Sequence, residues 1–246
     1  LSSGGTAVGT MITDSRTPAI AQVLAQAGFD FFILDTEHGA YSMETVADLM
    51  LMARLAGIAP IVRVPDDAYP WIARTLDAGA VGLMTPRISN RAQVERIVRS
   101  MKYPPLGERG MAAGRGNTPY RRMGLAEYAP LANAETMLIL QIELKEAIDS
   151  IDDLLSVPGV DAALIGPNDL SMSLGVPGDG EHPKVTEAIQ KVLDSAMRHG
   201  LPCGNHVRDL ANLKGWRDKG MRLLMYSSDI GLMTSAGTAA LKELRS

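Results

Sequence analysis

Residues 18–38, PAIAQVLAQAGFDFFILDTEH, contain the unit from which the fold is read. Pro18 suits a first helical turn, the apolar positions through Ala27 fit a helix, and Gly28 supplies its stop. Phe31 to Asp35 then runs apolar and ends polar, as a strand buried on both faces does when its last residue reaches a surface. The same helix–glycine–strand rhythm returns at Gly57, Gly79, Gly200 and Gly220. Strands are expected at residues 7–13, 31–35, 59–63, 81–85, 137–142, 162–165, 201–205 and 223–226. Helices are expected between them at 18–27, 43–56, 68–78, 91–101, 184–199 and 211–219. Eight β/α units in 246 residues match a closed barrel, whereas an open doubly wound sheet more often has five or six strands. The expected fold is therefore α/β, a (β/α)8 TIM barrel, with residues 1–246 as a single domain carrying a long loop at about 102–126.

Composition narrows the function. With 46% hydrophobic and 21% charged residues the chain buries a large core and is too apolar to be disordered. A net charge of -4 supplies no general attraction to polyanions, which argues against nucleic acid or an acidic membrane as partner. No run approaches the roughly 20 apolar residues of a membrane span, and residues 1–5 lack the basic and apolar regions of a signal peptide. The single cysteine, Cys203, cannot form an internal disulfide, so a reducing cytoplasm is the expected compartment. The chain opens on Leu1 rather than methionine, and its native start is expected upstream.

In such barrels the reactive groups sit where strands end and loops begin. Here those ends are unusually polar: Asp35-Thr36-Glu37-His38, Arg63, Gln141-Ile142-Glu143, Gly166-Pro167-Asn168-Asp169 and Asn205-His206. Glu143 and Asp169 are carboxylates from neighbouring strand ends. They suit a hard divalent cation that completes its shell with water and substrate oxygens, or alternatively act as salt-bridging and capping acids, Asp169 as N-cap of a helix at 170–174. The turn around Asn168 and Asp169 would also aim backbone N–H groups at a substrate carboxylate. Arg63 is placed either to hold an oxyanion or carboxylate or to pair with a nearby acid. The three-residue spacing from Asp35 allows that carboxylate to orient His38 as a proton acceptor, with Glu37 as the other partner. His199 and His182 read as structural or exposed, and His206 as a pocket-wall residue. Residues 102–122, rich in Gly and Arg, read as a lid or an interface arm. Gly114-Arg115-Gly116 within them does not continue as a dinucleotide fingerprint.

The ordered pieces AGFDFFILDTEHG, APIVRVP, DAGAVGLMTPRI, KYPPLGERG, LQIE, GVDAALIGPNDLSMSLGVPG and YSSDIGLM span nearly the whole chain and resemble the HpcH/HpaI aldolases, metal-dependent enzymes of pyruvate chemistry. The resemblance implies a hexamer-forming barrel in which Glu143 and Asp169 hold Mg²⁺, Mn²⁺ or Co²⁺ against the keto and carboxylate oxygens of pyruvate. It implies Arg63 at the C2 oxygen, His38 backed by Asp35 as the proton-moving pair, Gln141 lining the site, and the backbone near Asn168 and Asp169 holding the carboxylate. The implied reaction is cleavage or condensation of 4-hydroxy-2-keto acids to pyruvate and an aldehyde. Leu144 stands where the family often has Thr, and His206 stands where an apolar residue is expected beside the aldehyde. Three alternatives stay open: a metal-dependent decarboxylase of an oxaloacetate-like acid, a non-catalytic keto-acid-binding barrel, and a Schiff-base aldolase using Lys145, the lysine nearest a strand end.

Overall fold

In the computed structural model, residues 4–246 are described; residues 1–3, part of the opening segment discussed above, lie outside the described residues. In chain order the elements are β1 (Ala7–Ile12), α1 (Ala19–Gln26), β2 (Phe31–Asp35), α2 (Met43–Ala56), β3 (Ala59–Arg63), α3 (Tyr69–Ala78), β4 (Gly82–Thr85), α4 (Arg91–Met101), α5 (Leu125–Glu135) and β5 (Met137–Ile142). There follow α6 (Lys145–Asp149), α7 (Ile151–Leu155), β6 (Ala162–Ile165), α8 (Pro167–Ser173), α9 (Pro183–Arg198), β7 (Cys203–Val207), α10 (Leu210–Asp218), β8 (Leu223–Ser228) and α11 (Asp229–Leu244). The eight strands are parallel and close into a barrel in sequence order.

Local chemistry explains these boundaries. Ser42 caps α2 by accepting the Thr45 N–H at 3.2 Å, and Gly57 ends the helix at φ 75°, a left-handed conformation that glycine adopts without strain. Asn90 caps α4 in the same way, accepting the Gln93 N–H at 3.0 Å.

The period-two alternation of the strands divides the interior. Phe32, Leu34 and Val62 face outward into the large core beneath the helices. Phe31, Ile33, Ile61, Met84, Ile139, Leu164, Leu223 and Met225 face the axis and plug the barrel. Two residues beyond that plug the same alternation delivers Asp35, Arg63 and Gln141 to the axis at the strand C-termini.

Some boundaries differ from expectation. The seventh strand starts at Cys203 and runs to Val207, two residues later than the 201–205 expected, because Leu201 and Pro202 complete the turn out of α9. Asn205 and His206 thus lie within β7 and point to opposite faces. The eighth strand continues to Ser228 across an irregular pairing with β1. Residues 102–124 are irregular, and α5 begins at Leu125, slightly before the expected end of the long loop. The terminal helix α11 was not expected, since its polar and apolar residues show little helical segregation.

Candidate active site

The rim begins with an ion pair set by strand register. Asp35 of β2 lies opposite Arg63 of β3. The guanidinium takes both carboxylate oxygens, Nε to Oδ1 at 2.9 Å and Nη2 to Oδ2 at 2.6 Å, while its Nη1 lies 3.2 Å from Glu37 Oε2. Such a fork-to-fork pair is strong and directional. Asp35 Oδ1 also accepts the backbone N–H groups of Glu37 and His38, tightening the turn. Gly39 is required there, because a Cβ on it would fall 2.2 Å from the Asp35 carbonyl oxygen. Burial opposes the Asp35 charge, but Arg63 and the two N–H donors outweigh it and hold the carboxyl below its ordinary value.

This arrangement corrects the expectation that Asp35 orients the His38 ring. Both Asp35 oxygens are engaged by Arg63 and the turn, and the imidazole is largely exposed, its Nε2 3.9 Å from Glu37 Oε2. Glu37 is thus the acid that stands near both His38 and Arg63, 3.9 Å from the one and 3.2 Å from the other. Its carboxyl is raised, chiefly by burial and further by Asp35 and Asp169.

Opposite lies the second acid group. Glu143, at the end of β5, is 3% exposed, its Oε1 accepting the Arg87 N–H at 2.7 Å and its Oε2 hydrogen-bonded by the Gln141 amide. Gly166 permits this: a Cβ there would sit 3.1 Å from Gln141 Nε2 and 3.2 Å from Glu143 Oε2. Burial raises the Glu143 carboxyl, and the charges of Asp169 and Glu37 raise it further. Asp169 is exposed in the first turn of α8. It does not cap that helix, because α8 begins at Pro167, earlier than the sequence suggested, and its N-cap is Gly166 with no side-chain cap bond.

A cleft of about 230 Å³ joins these groups, lined among others by Asp35, His38, Arg63, Gln141, Asn168, Asp169 and His206. Glu143 lies just behind Gln141 and Gly166. These side chains therefore stand on one rim, and within the Asp35–His38 turn the partners differ from those expected. The sequence reading missed Thr13, Arg208, Ser227 and Ser228, which also line the cleft, and the Arg87 N–H on Glu143. Ser227 adopts φ 57°, and its carbonyl accepts the His206 Nε2–H at 2.8 Å. No residue type announces such a backbone contact in advance.

Other lysines and histidines fall outside. Lys145 lies on the outer surface, paired with Asp149, which raises its pKa, so it is unsuited to Schiff-base chemistry. Lys102 is buried and lowered by burial, but its Nζ donates to the carbonyls of Asn133 at 2.8 Å and Thr136 at 2.6 Å, ahead of β5 and away from the cleft. His182 caps α9 through Nδ1, and His199 ends that helix 3.3 Å from Asp152.

Among the described residues no group of three or more His, Cys, Asp or Glu side chains forms a ready metal cage. The donor set nevertheless fits a hard divalent cation that uses one or two protein carboxylates. Glu143 is buried with only neutral donors on its oxygens, and the charges of Asp169 and Glu37 act on it without a compensating cation in contact.

In parallel barrels of this kind the active site lies at the C-terminal face, where these buried acids and the fixed arginine stand. The family model described as HpcH/HpaI aldolase/citrate lyase matches residues 10–236, and the chain belongs to that family. It is an enzyme of the lyase class. The chain is 35% identical over 236 residues to a hydroxypyruvate/pyruvate aldolase of Paraburkholderia phytofirmans, covering 93% of this chain and 89% of the relative. It is 32% identical over 219 residues to a 5-keto-4-deoxy-D-glucarate aldolase of Shigella sonnei, covering 89% and 85%. The crystal structure of an HpcH/HpaI aldolase from Desulfitobacterium hafniense DCB-2 superposes with a TM-score of 0.95 at 36% identity, covering 99% of this chain and 94% of that one.

Proposed function

We propose that this protein is a divalent-metal-dependent aldolase that cleaves 4-hydroxy-2-keto acids to pyruvate, or a close 2-keto acid, and an aldehyde, and that catalyses the reverse condensation. The observation that carries this reading is the presence on one rim of a buried arginine and of two carboxylates, Glu143 and Asp169, with which no Lys, Arg or His among the described residues forms an ion pair. Held by Glu143 and Asp169, Mg²⁺, Mn²⁺ or Co²⁺ would supply Lewis-acid stabilisation for the negative charge that develops on an enolate.

The chain's own residues account for the remaining work. Arg63 spends two of its five N–H donors on Asp35. The others remain for Glu37 and for the C2 oxygen, where enolate charge develops when the C3–C4 bond breaks. The ion pair holds the guanidinium in place, so no reorganisation is needed during reaction. The N–H groups of Asn168 and Asp169, in the first turn of α8, have no intrahelical partner and suit the substrate carboxylate. Gln141 lines the floor beside them. His38, exposed and next to Glu37, is placed to take the C4 hydroxyl proton during cleavage and return one during condensation. His206 stands on the wall where the aldehyde forms.

The protein is further assigned to homo-oligomers, with a hexamer as the family form, and to the cytoplasm. Along the 16-residue α11 only Asp229 is buried, and Ile230, Met233, Leu241 and Leu244 are uncovered, an apolar surface that a second copy would shield. Cys203 is buried and unpaired, as suits a reducing compartment. No helix among the described residues is long and apolar enough to cross a membrane.

The test supplies 4-hydroxy-2-oxoheptanedioate to chelated and to Mn²⁺-loaded enzyme. Equal amounts of pyruvate and aldehyde, released only with the metal, are expected. Carbon dioxide release from oxaloacetate without aldol cleavage would replace this reading with decarboxylation, and binding without turnover would make the barrel a keto-acid receptor.

A further inference from the structure

The buried guanidinium of Arg63 is gripped at its tip by Asp35 and Glu37, and the residue between these two acids holds the other end of the same arginine. Thr36 donates two hydrogen bonds to the Arg63 carbonyl, from its backbone N–H at 3.0 Å and from its hydroxyl at 2.6 Å. A carbonyl oxygen has two lone pairs, and here one residue occupies both. The three side chains thus divide the hold: Asp35 and Glu37 send their carboxylates to the guanidinium, while Thr36 turns back to the β3 backbone. Thr36 itself does not line the cleft, unlike Asp35, His38 and Arg63.

This clamp falls where the ladder between β2 and β3 ends. Asp35 pairs with Arg63 in register, and Thr36 supplies the last backbone hydrogen bond, among the described residues, that ties the end of one strand to the end of the other. Beyond it the Val64 N–H turns to β4, donating to Met84 at 3.1 Å, and Pro65 has no N–H to give. An arginine reaches its target on a long, flexible stem, so fixing the guanidinium alone leaves the backbone from which it grows free to shift. Fixing both ends removes that freedom. Threonine suits the task because its branched Cβ restricts χ1 and holds the hydroxyl in one direction.

Resting on the aldolase reading above, we propose that Thr36 is a positioning residue for the reaction: its hydroxyl fixes the end of β3 so that the Arg63 guanidinium already stands where enolate charge develops on the C2 oxygen. Thr36 touches no substrate and acts through Arg63 alone. A small displacement of the guanidinium weakens its bond to a developing oxyanion, and a loss of roughly tenfold in turnover is expected from it. Valine reproduces the shape of threonine and removes only the hydroxyl, leaving one lone pair of the Arg63 carbonyl unfilled.

The test follows methyl-proton exchange of pyruvate in D₂O by Mn²⁺-loaded enzyme for Thr36→Val, for Thr36→Ser, and for Thr36→Val in an Arg63→Lys background. Thr36→Val is expected to lower kcat about tenfold with KM little changed, because an aligned guanidinium matters most once charge has developed. Thr36→Ser, which keeps the hydroxyl, is expected to recover most of the loss. In the Arg63→Lys background Thr36→Val is expected to change kcat by less than about twofold, since residues that act as a unit are not additive. An equal loss in both backgrounds, or an unchanged kcat accompanied by a lower Tm, overturns the assignment.

A second readout is independent of turnover. The Arg63 Nε–H, donated to Asp35 at 2.9 Å, is identified in proton–nitrogen NMR spectra by its loss in Arg63→Lys. Its exchange with solvent should quicken about tenfold in Thr36→Val and return toward wild type in Thr36→Ser, because a strand end that is no longer clamped opens more often. An unchanged rate overturns the proposal. Failure of the underlying reading has a separate signature, in which wild type exchanges no pyruvate protons with any of the metals. In that case, or where Arg63→Lys turns over too slowly to compare, the Nε–H exchange rate alone decides for or against Thr36.

Discussion

On β2, Phe31 and Ile33 face the barrel axis among Ile61, Ile139 and Leu223, whereas Asp35, two residues further along the same strand, meets Arg63. The lower half of the interior is a close-packed apolar plug, in which Gly9 leaves room for the Phe31 ring that a Cβ would approach to 2.4 Å. The upper rim places Asp35, Arg63, Gln141 and Glu143 out of water at 2% to 7% exposure. Burying such groups is costly unless they are paired or bind something. The plug stabilises the barrel without chemistry, and the rim holds charge that a ligand can use. The comparison teaches that side-chain alternation, continued past the last apolar layer, is what carries this site.

If the two halves are separable in this way, substitutions at the rim should remove turnover and spare folding. Glu143→Gln and Asp169→Asn should each lower kcat by about a thousandfold or more, equivalent to several kcal/mol of transition-state stabilisation. Thermal melting should stay at or above wild type, since Glu143→Gln removes a charge that burial disfavours. Added Mn²⁺ should raise the Tm of wild type and leave that of Glu143→Gln unmoved. Wild-type turnover by either variant in chelator-treated buffer would break the division of labour at its strongest point.

The converse substitution lies in the plug. Phe31→Ala should cost about 3–5 kcal/mol in urea unfolding, because the cavity it leaves cannot collapse against a closed barrel. The kcat of the protein that remains folded should stay near wild type. A loss of turnover matching that of Glu143→Gln would show the plug and rim to be mechanically coupled.

A smaller effect is expected where the rim is tied to the chain ends. Asp229 accepts the Thr13 hydroxyl at 2.9 Å and the N–H groups of Thr13, Asp14 and Ser15 at 2.8–3.2 Å. Burial opposes its charge, yet these donors hold its carboxyl down at about 2. A depressed folded pKa means that the stabilisation is present above the ordinary carboxylate value near 3.8 and is lost as pH falls toward 2. Asp229→Asn should therefore destabilise by about 1–2 kcal/mol at neutral pH. The difference from wild type should shrink in melts recorded below pH 4.

The smallest effect concerns His206. Its folded pKa is lowered below the ordinary 6.5, so as pH falls through that value the unfolded chain takes the proton first. Wild-type stability should decline there with a slope of at most about 1.4 kcal/mol per pH unit from this group, and His206→Asn should flatten it.

Much of this was legible in the sequence, and for a physical reason. Runs such as Phe31 to Asp35 or Met137 to Glu143 announce a doubly buried strand that ends in polar residues, and a closed barrel leaves only one place for such an end to go. Asp35, His38, Arg63, Gln141, Glu143, Asn168, Asp169 and His206 were all placed on that rim. The pairing inside the Asp35–His38 turn was not legible, because it depends on cross-strand register: Asp35 opposite Arg63 takes the guanidinium, whose Nη1 also reaches Glu37, and Glu37 is the acid beside the His38 ring. The two-residue shift of β7 was hidden by Pro202, which sits in an apolar run but belongs to the turn. Arg208 and Ser227 escaped because their positions come from a strand extension and a left-handed residue at a β-bulge.

The central claim is that the rim generates a metal-assisted enolate of pyruvate. It is tested most directly by incubating chelated enzyme with pyruvate in D₂O, with and without Mn²⁺, and following the methyl protons by NMR. The account predicts exchange that appears with the metal and stops on chelation; exchange that persists in chelated enzyme would contradict it.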